Sequence, residues 1–402
     1  MKKALAGIRI VDLSAVIAGP LGMRILGDYG ADVIKVESLG GDIIRSSQPT
    51  RHEHMGVMHL QLNRSKRSVA LDLKTPQAME IMHRLLAKAD VFAHNMRPDA
   101  LRRLGLDYAS CETRYPRLIH AGIIGFGHRG RNRDKPAFDD LIQGTSGLAA
   151  LFGANSGAPP RYAPLNLADR LTGVTAVHAV LAALFHRERT GEGQAIEIPM
   201  YETLVEFLLG DHLQGSTYDP PAGPPINKRA VSADRRPFRT RDGVISVIPY
   251  IDKHWQEFFR ISGLDAQYGN DPRFATAAGR ATHVEESYAL VAQALETKTT
   301  AEWLELLTKA DIPCAPVQDF EQILADPHLQ DAGFFESIDH PTEGALKIPN
   351  PPVWMSQTPP AMHAQAPGLG EHTREVLAEH GYGSAEIDAF LKAGIAGAAP
   401  QG

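Results

Sequence analysis

Asp169 stands at the head of a long run of apolar residues at helical spacing, and it is the first place where this chain of 402 residues offers covalent chemistry. A carboxylate at a helix start can accept the orphan amide hydrogens of the first turn and feel the positive end of the helix, which is the position of an N-cap. The same surroundings favour the anion, the form that a nucleophilic carboxylate needs. The two roles are compatible. A second candidate is His128, inside Gly125-Phe126-Gly127-His128-Arg129-Gly130, which has the form G-x-G-x-x-G and follows a strand. That pattern suggests a dinucleotide, but the next residues, Arg131-Asn132-Arg133-Asp134-Lys135-Pro136, are a charged loop and not the apolar helix that would receive a pyrophosphate. His128 itself reads as a general base or as a solvent-facing loop histidine. Gly-x-Ser-x-Gly, Walker A and His-Glu-x-x-His patterns are absent from the sequence. Cys111 and Cys314 sit in no cluster with metal-ligand spacing, so reduced structural thiols are expected and no metal site.

Stepping outward, Ile8 to Leu13 reads as a strand, Gly19 to Tyr29 as a helix and Asp32 to Val36 as a second strand, a βαβ unit. The alternation continues with a strand at Ser68 to Leu73, a helix at Thr75 to Lys88, a strand at Asp90 to Asn95, a short helix at Ala100 to Leu104 and a strand at Leu118 to Ile124. Such alternation implies a parallel, helix-covered sheet whose ligands lie beyond the carboxyl ends of the strands. The loops after Leu13, Val36, Asn95 and Gly125 are therefore the expected site. The long helix runs from Ala168 to about Glu188, with Leu171, Val174, Val177, Leu181 and Leu184 on one face, and Gly191 ends it. A strand at Gln194 to Ile198 and a helix at Tyr201 to Leu209 follow.

Four prolines within Tyr218 to Pro225 mark a linker, after which a smaller α+β unit is expected, with a strand at Val244 to Pro249 and helices at Trp255 to Ser262, Glu285 to Leu295 and Ala301 to Lys309. Extended chain returns at Ile348 to Pro360, Glu371 to His380 is helical, and the Gly/Ala-rich tail from Ala393 to Gly402 is expected to fray. The division reads as a large domain over 1–210 completed by about 335–402, a linker at 211–226 and a small domain at 227–330.

With 43% hydrophobic residues the chain can bury a sizeable core. Its apolar runs, such as Val174 to Phe185, fall short of the about 20 residues that a membrane span needs, and Arg9 and Asp12 interrupt the start of the chain where a secretory signal would be apolar, so the expectation is a cytoplasmic protein without a membrane partner. A formal charge of −6 argues against a nucleic-acid partner. Between Gln61 and Asp140, however, 15 Lys and Arg face 9 Asp and Glu, a local excess of +6 suited to a polyanionic small molecule.

These residues together resemble the family III CoA-transferases. The match rests on Leu5-Ala6-Gly7, Ala18-Gly19-Pro20, Gly30 to Glu37 with Gly41-Asp42 and Arg45, Asn63 to Ser68 leading to Leu71-Asp72-Leu73, Asn95-Met96-Arg97-Pro98, Arg103 to Leu106, Gly125-Phe126-Gly127, Asp169 with Thr172-Gly173, and Thr190 to Gln194. The resemblance implies an α/β chain with a Rossmann-like parallel-sheet large domain and a smaller α+β domain, assembled as an interlocked, ring-shaped homodimer. It implies Asp169 as nucleophile and CoA contacts at Ile17, Ala18, Leu62, Asn63, Arg64, Lys66, Asn95, Met96, Arg97, Arg103, Lys135 and Asp139. The substrates implied are an acyl-CoA and a small carboxylic acid, with no permanently bound cofactor. Three departures narrow the expectation. Ile17 stands where oxalate-using members carry glutamine, and the stretch between Ala230 and Gly243 lacks their glycine run. Phe138 stands where the related α-methylacyl-CoA racemases carry a histidine base, which disfavours that alternative activity; a CoA-binding protein without turnover is the alternative of another class. Arg170, Arg229, Arg235 and Arg236 are candidates for the second carboxylate of a dicarboxylic substrate such as succinate.

Overall fold

A computed structural model describes residues 3–154 and 157–399. The chain divides into two compact units, one made of Met1–Leu148, Tyr162–Phe207 and Gln330–Gly402, the other of Ala149–Arg161 and Leu208–Leu329.

The first unit is built on six parallel strands, β1 (Arg9–Leu13), β2 (Asp32–Glu37), β3 (Lys66–Leu71), β4 (Val91–His94), β5 (Ile119–Ile124) and β6 (Gln194–Pro199), in the spatial order β3-β2-β1-β4-β5-β6. This is the doubly wound order, whose topological switch point falls between β1 and β4. Runs such as Val91-Phe92-Ala93 are buried on both faces because helices cover both sides. Helices α1 (Ala18–Asp28), α2 (Pro76–Leu86), α3 (Pro98–Arg103), α4 (Asp139–Thr145), α5 (Leu167–Thr190) and α6 (Met200–His212) connect or follow the strands. Thr75 caps α2 through Ala78 N–H, with Pro76 at the first helical position. Gly191, at φ +81°, ends α5 with its N–H on the Arg187 carbonyl. One core lies under α2 around Val11, Ile34, Val69 and Phe92, and a second lies under α1 and α5 around Ile10, Val33, Ile119 and Val180.

Four features differ from the sequence reading. The buried stripe of α5 is Ala168, Thr172, Gly173, Ala176, Val177, Val180, Ala183 and Leu184, while Val174 is 51% exposed. Small residues are inside because α1 comes very close: a Cβ on Gly22 would meet the Gly173 carbonyl oxygen at 2.8 Å, and one on Gly173 would meet the Ala18 carbonyl oxygen at 2.6 Å. The same helix is continuous for 24 residues and by length and composition alone could cross a bilayer, contrary to the reading of its apolar run as too short. Here it packs on α1, α4, β5 and β6. The tail is not all frayed: Ala396–Gly397 pairs antiparallel with β3 at Leu71 and Ala70, a long-range pairing with no local signal, while Pro400, Gln401 and Gly402 lie outside the described residues. Part of the extended 348–360 stretch belongs to an antiparallel hairpin of Phe335–His340 with Gly344–Pro349.

The second unit holds an antiparallel sheet of Phe238–Arg239, Val244–Val247 and Cys314–Pro316 with helices including Asp252–Ser262, Val284–Leu295 and Thr300–Lys309. Trp303 is fully buried in its core, its indole N–H on the Leu295 carbonyl at 2.8 Å.

Candidate active site

The loop leaving β1 is fixed by bonds from three directions. Asn95, just past β4, donates to the Ala15 carbonyl at 2.7 Å and accepts the Ala15 N–H at 3.0 Å, so one amide side chain ties the two loops at the switch point. Lys35 donates to the Ser14 carbonyl at 2.8 Å and pairs with Asp42 at 3.2 Å, both side chains fully buried. Asp42 in turn accepts the Val16 N–H at 3.1 and 3.2 Å. Val16 has φ +70°, a left-handed conformation that its branched Cβ makes costly and that only such a surrounding framework sustains.

Asp169 enters through α5. Asn166 occupies the N-cap position without a side-chain cap, and Asp169 is the third helical residue, which corrects the expectation that Asp169 is the cap itself. Gly173 packs on Ala18 and Leu21 while Ala176 packs near Gly22, so the two helices run in the same sense. The Asp169 turn, one turn before Gly173, is thereby set level with the Val16–Ile17 end of the β1 loop. The Asp169 main-chain N–H is taken by Asp139 Oδ1 at 2.9 Å. Asp139 opens α4, and Gln143 one turn later donates to the other Asp139 oxygen. Gln143 also donates to the Leu165 carbonyl at 3.1 Å and accepts the Ala163 N–H at 2.8 Å, so this fully buried amide holds the chain that leads into α5.

Burial pushes the Asp169 carboxyl up to about 6, the Asp139 charge pushes in the same direction, and Arg170 opposes. The helix start does not keep this carboxylate unusually acidic, as its position suggests, because desolvation and a like charge outweigh one exposed cation.

The other expected contacts divide into two groups. Ile17, Ala18 and Leu62 are buried apolar residues, so only their main chain is available to a ligand, while Met96 is partly buried against the core under α2 and partly exposed. Asn63, Arg64 and Lys66 are also buried, and their side chains bond within the protein. Arg64 holds Asp28 at 3.0 Å and the Pro349 carbonyl; Lys66 donates to Asp12 at 2.9 Å and to Pro20 and Asn63 at 3.0 Å. Burial pulls the Lys66 ammonium down to about 8 against the pull of Asp12. Asn95 and Asp139 spend their side chains as described. A buried donor must find a partner inside the fold, and these found protein acceptors. By contrast Arg97, Arg103 and Lys135 are exposed, and none of their side chains has an ion-pair or hydrogen-bond partner among the described residues. They follow β4 and β5 and are among the unpaired cations of the basic stretch.

The glycine-rich loop after β5 is closed by protein carboxylates: His128 N–H donates to Glu197 at 2.7 Å, its ring Nδ1 faces the same carboxylate at 2.8 Å, and Gly127 N–H donates to Glu202 at 3.0 Å. The amides that a pyrophosphate would use are spoken for. In the smaller unit Arg229, Arg235 and Arg236 line a cleft of about 750 Å³ floored by Phe238, Trp255 and Tyr288, and all three are exposed. Arg170 is exposed on α5. Sequence reasoning missed Val16 and Gln143. For Gln143 a signal existed, an Asp and a Gln one helical turn apart at the start of a helix; for Val16 none did.

The profile of "CoA-transferase family III" matches residues 5–373. The chain is 35% identical over 395 residues to a succinate–glutarate CoA-transferase of Agrobacterium fabrum, covering 94% of this chain and 96% of that one. It is 32% identical to a succinyl-CoA:mesaconate CoA-transferase of Haloarcula hispanica, covering 95% and 97%. A crystal structure of a CAIB/BAIF family protein from Brucella suis superposes with a TM-score of 0.80 at 29% identity, covering 94% of this chain and all of that one. On this evidence the chain belongs to CoA-transferase family III and is a CoA-transferase.

Proposed function

We propose that the enzyme carries CoA from a succinyl-CoA-like donor to a carboxylic acid acceptor with Asp169 as covalent nucleophile. The observation that carries this reading is the half-buried Asp169 carboxylate, raised to about 6 at the switch-point end of α5. Such a group is still largely ionised at neutral pH and more basic than an ordinary aspartate, as a nucleophile should be. Asp169 attacks the thioester carbonyl, the C–S bond breaks, and its electron pair leaves on the CoA thiolate. The thiolate then attacks the aspartyl carbonyl of the mixed anhydride, releasing the donor acid and leaving an aspartyl-CoA thioester. The acceptor carboxylate attacks that thioester carbonyl to form a new anhydride with expulsion of thiolate, and the thiolate attacks the acceptor carbonyl to give the product thioester and free Asp169. Anhydride and thioester are of comparable reactivity, so no exchange is steeply uphill. Arg97, Arg103 and Lys135 would meet the phosphates of CoA.

A dicarboxylic donor is favoured by the relatives that use succinyl-CoA, and Arg170, exposed next to Asp169 on α5, is the group proposed for the distal carboxylate. Phe138, in the place of a racemase base, is 64% exposed and can move no proton, which leaves the racemase reading without one of its two acid/base groups. An interlocked homodimer in the cytoplasm completes the proposal; Val174, Phe185 and Phe207, all more than half exposed, are apolar surface that a second copy would cover. The test is incubation with succinyl-CoA followed by hydroxylamine, with mass spectrometry of the peptide containing Asp169. A hydroxamate at Asp169 under turnover is expected; turnover without one overturns the covalent role.

A further inference from the structure

Asp139 lies beside the nucleophile, yet its carboxylate faces amides and no cation among the described residues. It is 5% exposed, one oxygen accepts the Asp169 N–H, the other accepts from the Gln143 amide, and no Lys or Arg among the described residues pairs with it. A buried carboxylate is ordinarily placed against a cation. Here it is placed against the main chain of another carboxylate residue.

Resting on the reading of Asp169 as nucleophile, we propose that Asp139 is its positioning residue. It fixes the Asp169 turn through that residue's own N–H, and it keeps a second negative charge close by, so that turning Asp169 into a neutral anhydride or thioester relieves a repulsion.

The charge balance makes the point. When the Asp169 carboxylate attacks the donor thioester, the C–O bond forms, the C–S bond breaks and the negative charge leaves with the thiolate. The resting enzyme has two like charges at this spot and each covalent intermediate has one. The repulsion therefore raises the free enzyme relative to the intermediates, which is differential binding in the useful direction. Burial adds to the same effect, and the direction in which the Asp169 carboxyl moves agrees with it. The groups that face Asp169 are few. From α4 come Asp139 and, next to it on the surface, Asp140; from α5 comes Arg170, exposed. From α1 the neighbours at the crossing are Ala18, Leu21 and Gly22, uncharged, while Arg24, one turn on and paired with Asp28 at 3.1 Å, feels Arg170 rather than Asp169; β5 and β6 bring the uncharged Ile119, Ala121, Ile123 and Ile198 to the helix. Asp139 is thus the one buried charge at the nucleophile among the described residues. Gln143 is what lets it be there, since this amide satisfies the second oxygen without neutralising it.

Two variants separate charge from geometry. Asp139→Asn keeps an acceptor for the Asp169 N–H and removes the charge. The acid limb of kcat should move down by about one pH unit, the size of effect a single nearby charge produces, and the fraction of enzyme trapped by hydroxylamine in the steady state should fall severalfold. Gln143→Leu keeps the charge and releases the tether, so kcat should drop while the acid limb stays. An unmoved limb in Asp139→Asn, or a limb that moves down in Gln143→Leu, overturns the proposal; if Asp139→Asn does not fold, the limb of Gln143→Leu alone decides. The wild-type adduct is the control: no hydroxamate at Asp169 under turnover removes the nucleophile reading itself, whereas an adduct with an unmoved limb in Asp139→Asn removes only the role of Asp139.

Discussion

Asn95 and Ala15 are joined by two hydrogen bonds, the Asn95 amide acting as donor and acceptor toward one peptide across the switch point of the sheet. The loops after β1 and β4 therefore move as one piece. Asn95→Ala should destabilise the protein by about 1–3 kcal/mol, the cost of leaving main-chain groups unpaired, and lower kcat/KM, read by thermal melting and initial rates. Asn95→Asp, which keeps only the acceptor, should be no better.

Asp169 itself has opposite effects on activity and stability. Asp169→Asn should abolish transfer yet raise the melting temperature at neutral pH. The sign follows from the raised carboxyl: the folded protein holds its proton more tightly than the unfolded chain, so the cost of the anion is fully present above about pH 6 and is lost as the pH falls towards the ordinary carboxylate value near 3.8. The stabilisation, at most about 3 kcal/mol, should be seen at pH 7 to 8 and vanish near pH 4. A variant equally stabilised at pH 4 would contradict this. Wild-type kcat should show an acid limb near pH 6.

Gly173 sets the height of Asp169 over the β1 loop. In Gly173→Val the new Cβ would fall 2.6 Å from the Ala18 carbonyl oxygen, so α1 and α5 must separate. A loss of about 1–3 kcal/mol is expected for overpacking of this kind, with kcat falling more than KM rises.

Arg97→Ala and Arg103→Ala should leave the melting temperature unchanged, since neither side chain has a partner to lose. Each should raise KM for the CoA thioester about tenfold, as expected for one charge-assisted bond, and make it less sensitive to salt. Steady-state kinetics at two ionic strengths reads both effects.

Lys66→Met tests the opposite class of residue. It leaves Asp12 buried without its nearest cation, a change that costs about 3–5 kcal/mol, and the loss should show first in the melting curve. A raised KM for the CoA thioester with unchanged stability would instead favour a direct contact of Lys66 with CoA.

The contrast between Arg97 and Arg64 explains how far the sequence could be read. The alternation of strands and helices from Ile8 to Ile124 is a local property with a clear period, and it located the sheet and its loops, while the apolar run after Asp169 located the helix that carries it. Whether a cation faces water or a buried aspartate depends on partners far along the chain: Asp28 for Arg64, 36 residues away, and Asp12 for Lys66, 54 away. No spacing rule contains that information. The buried face of α5 was misread for a related reason. Leucine and valine spacing predicts the inner stripe only when the neighbour stands at an ordinary distance, and at a crossing as close as Gly22 on Gly173 small residues go inside and larger ones outside. The pairing of Ala396 with Leu71 ties the C-terminal tail to β3, more than three hundred residues earlier, and left no trace in a tail of glycine and alanine.

The left-handed Val16 offers a spectroscopic handle on this site. Its backbone couplings and carbon shifts differ sharply from those of an extended valine, and they persist only while Asp42, itself gripped by Lys35, holds the Val16 amide. One isotopically labelled residue thus reports whether the β1 loop is assembled in the free enzyme, before any substrate is added and independently of turnover.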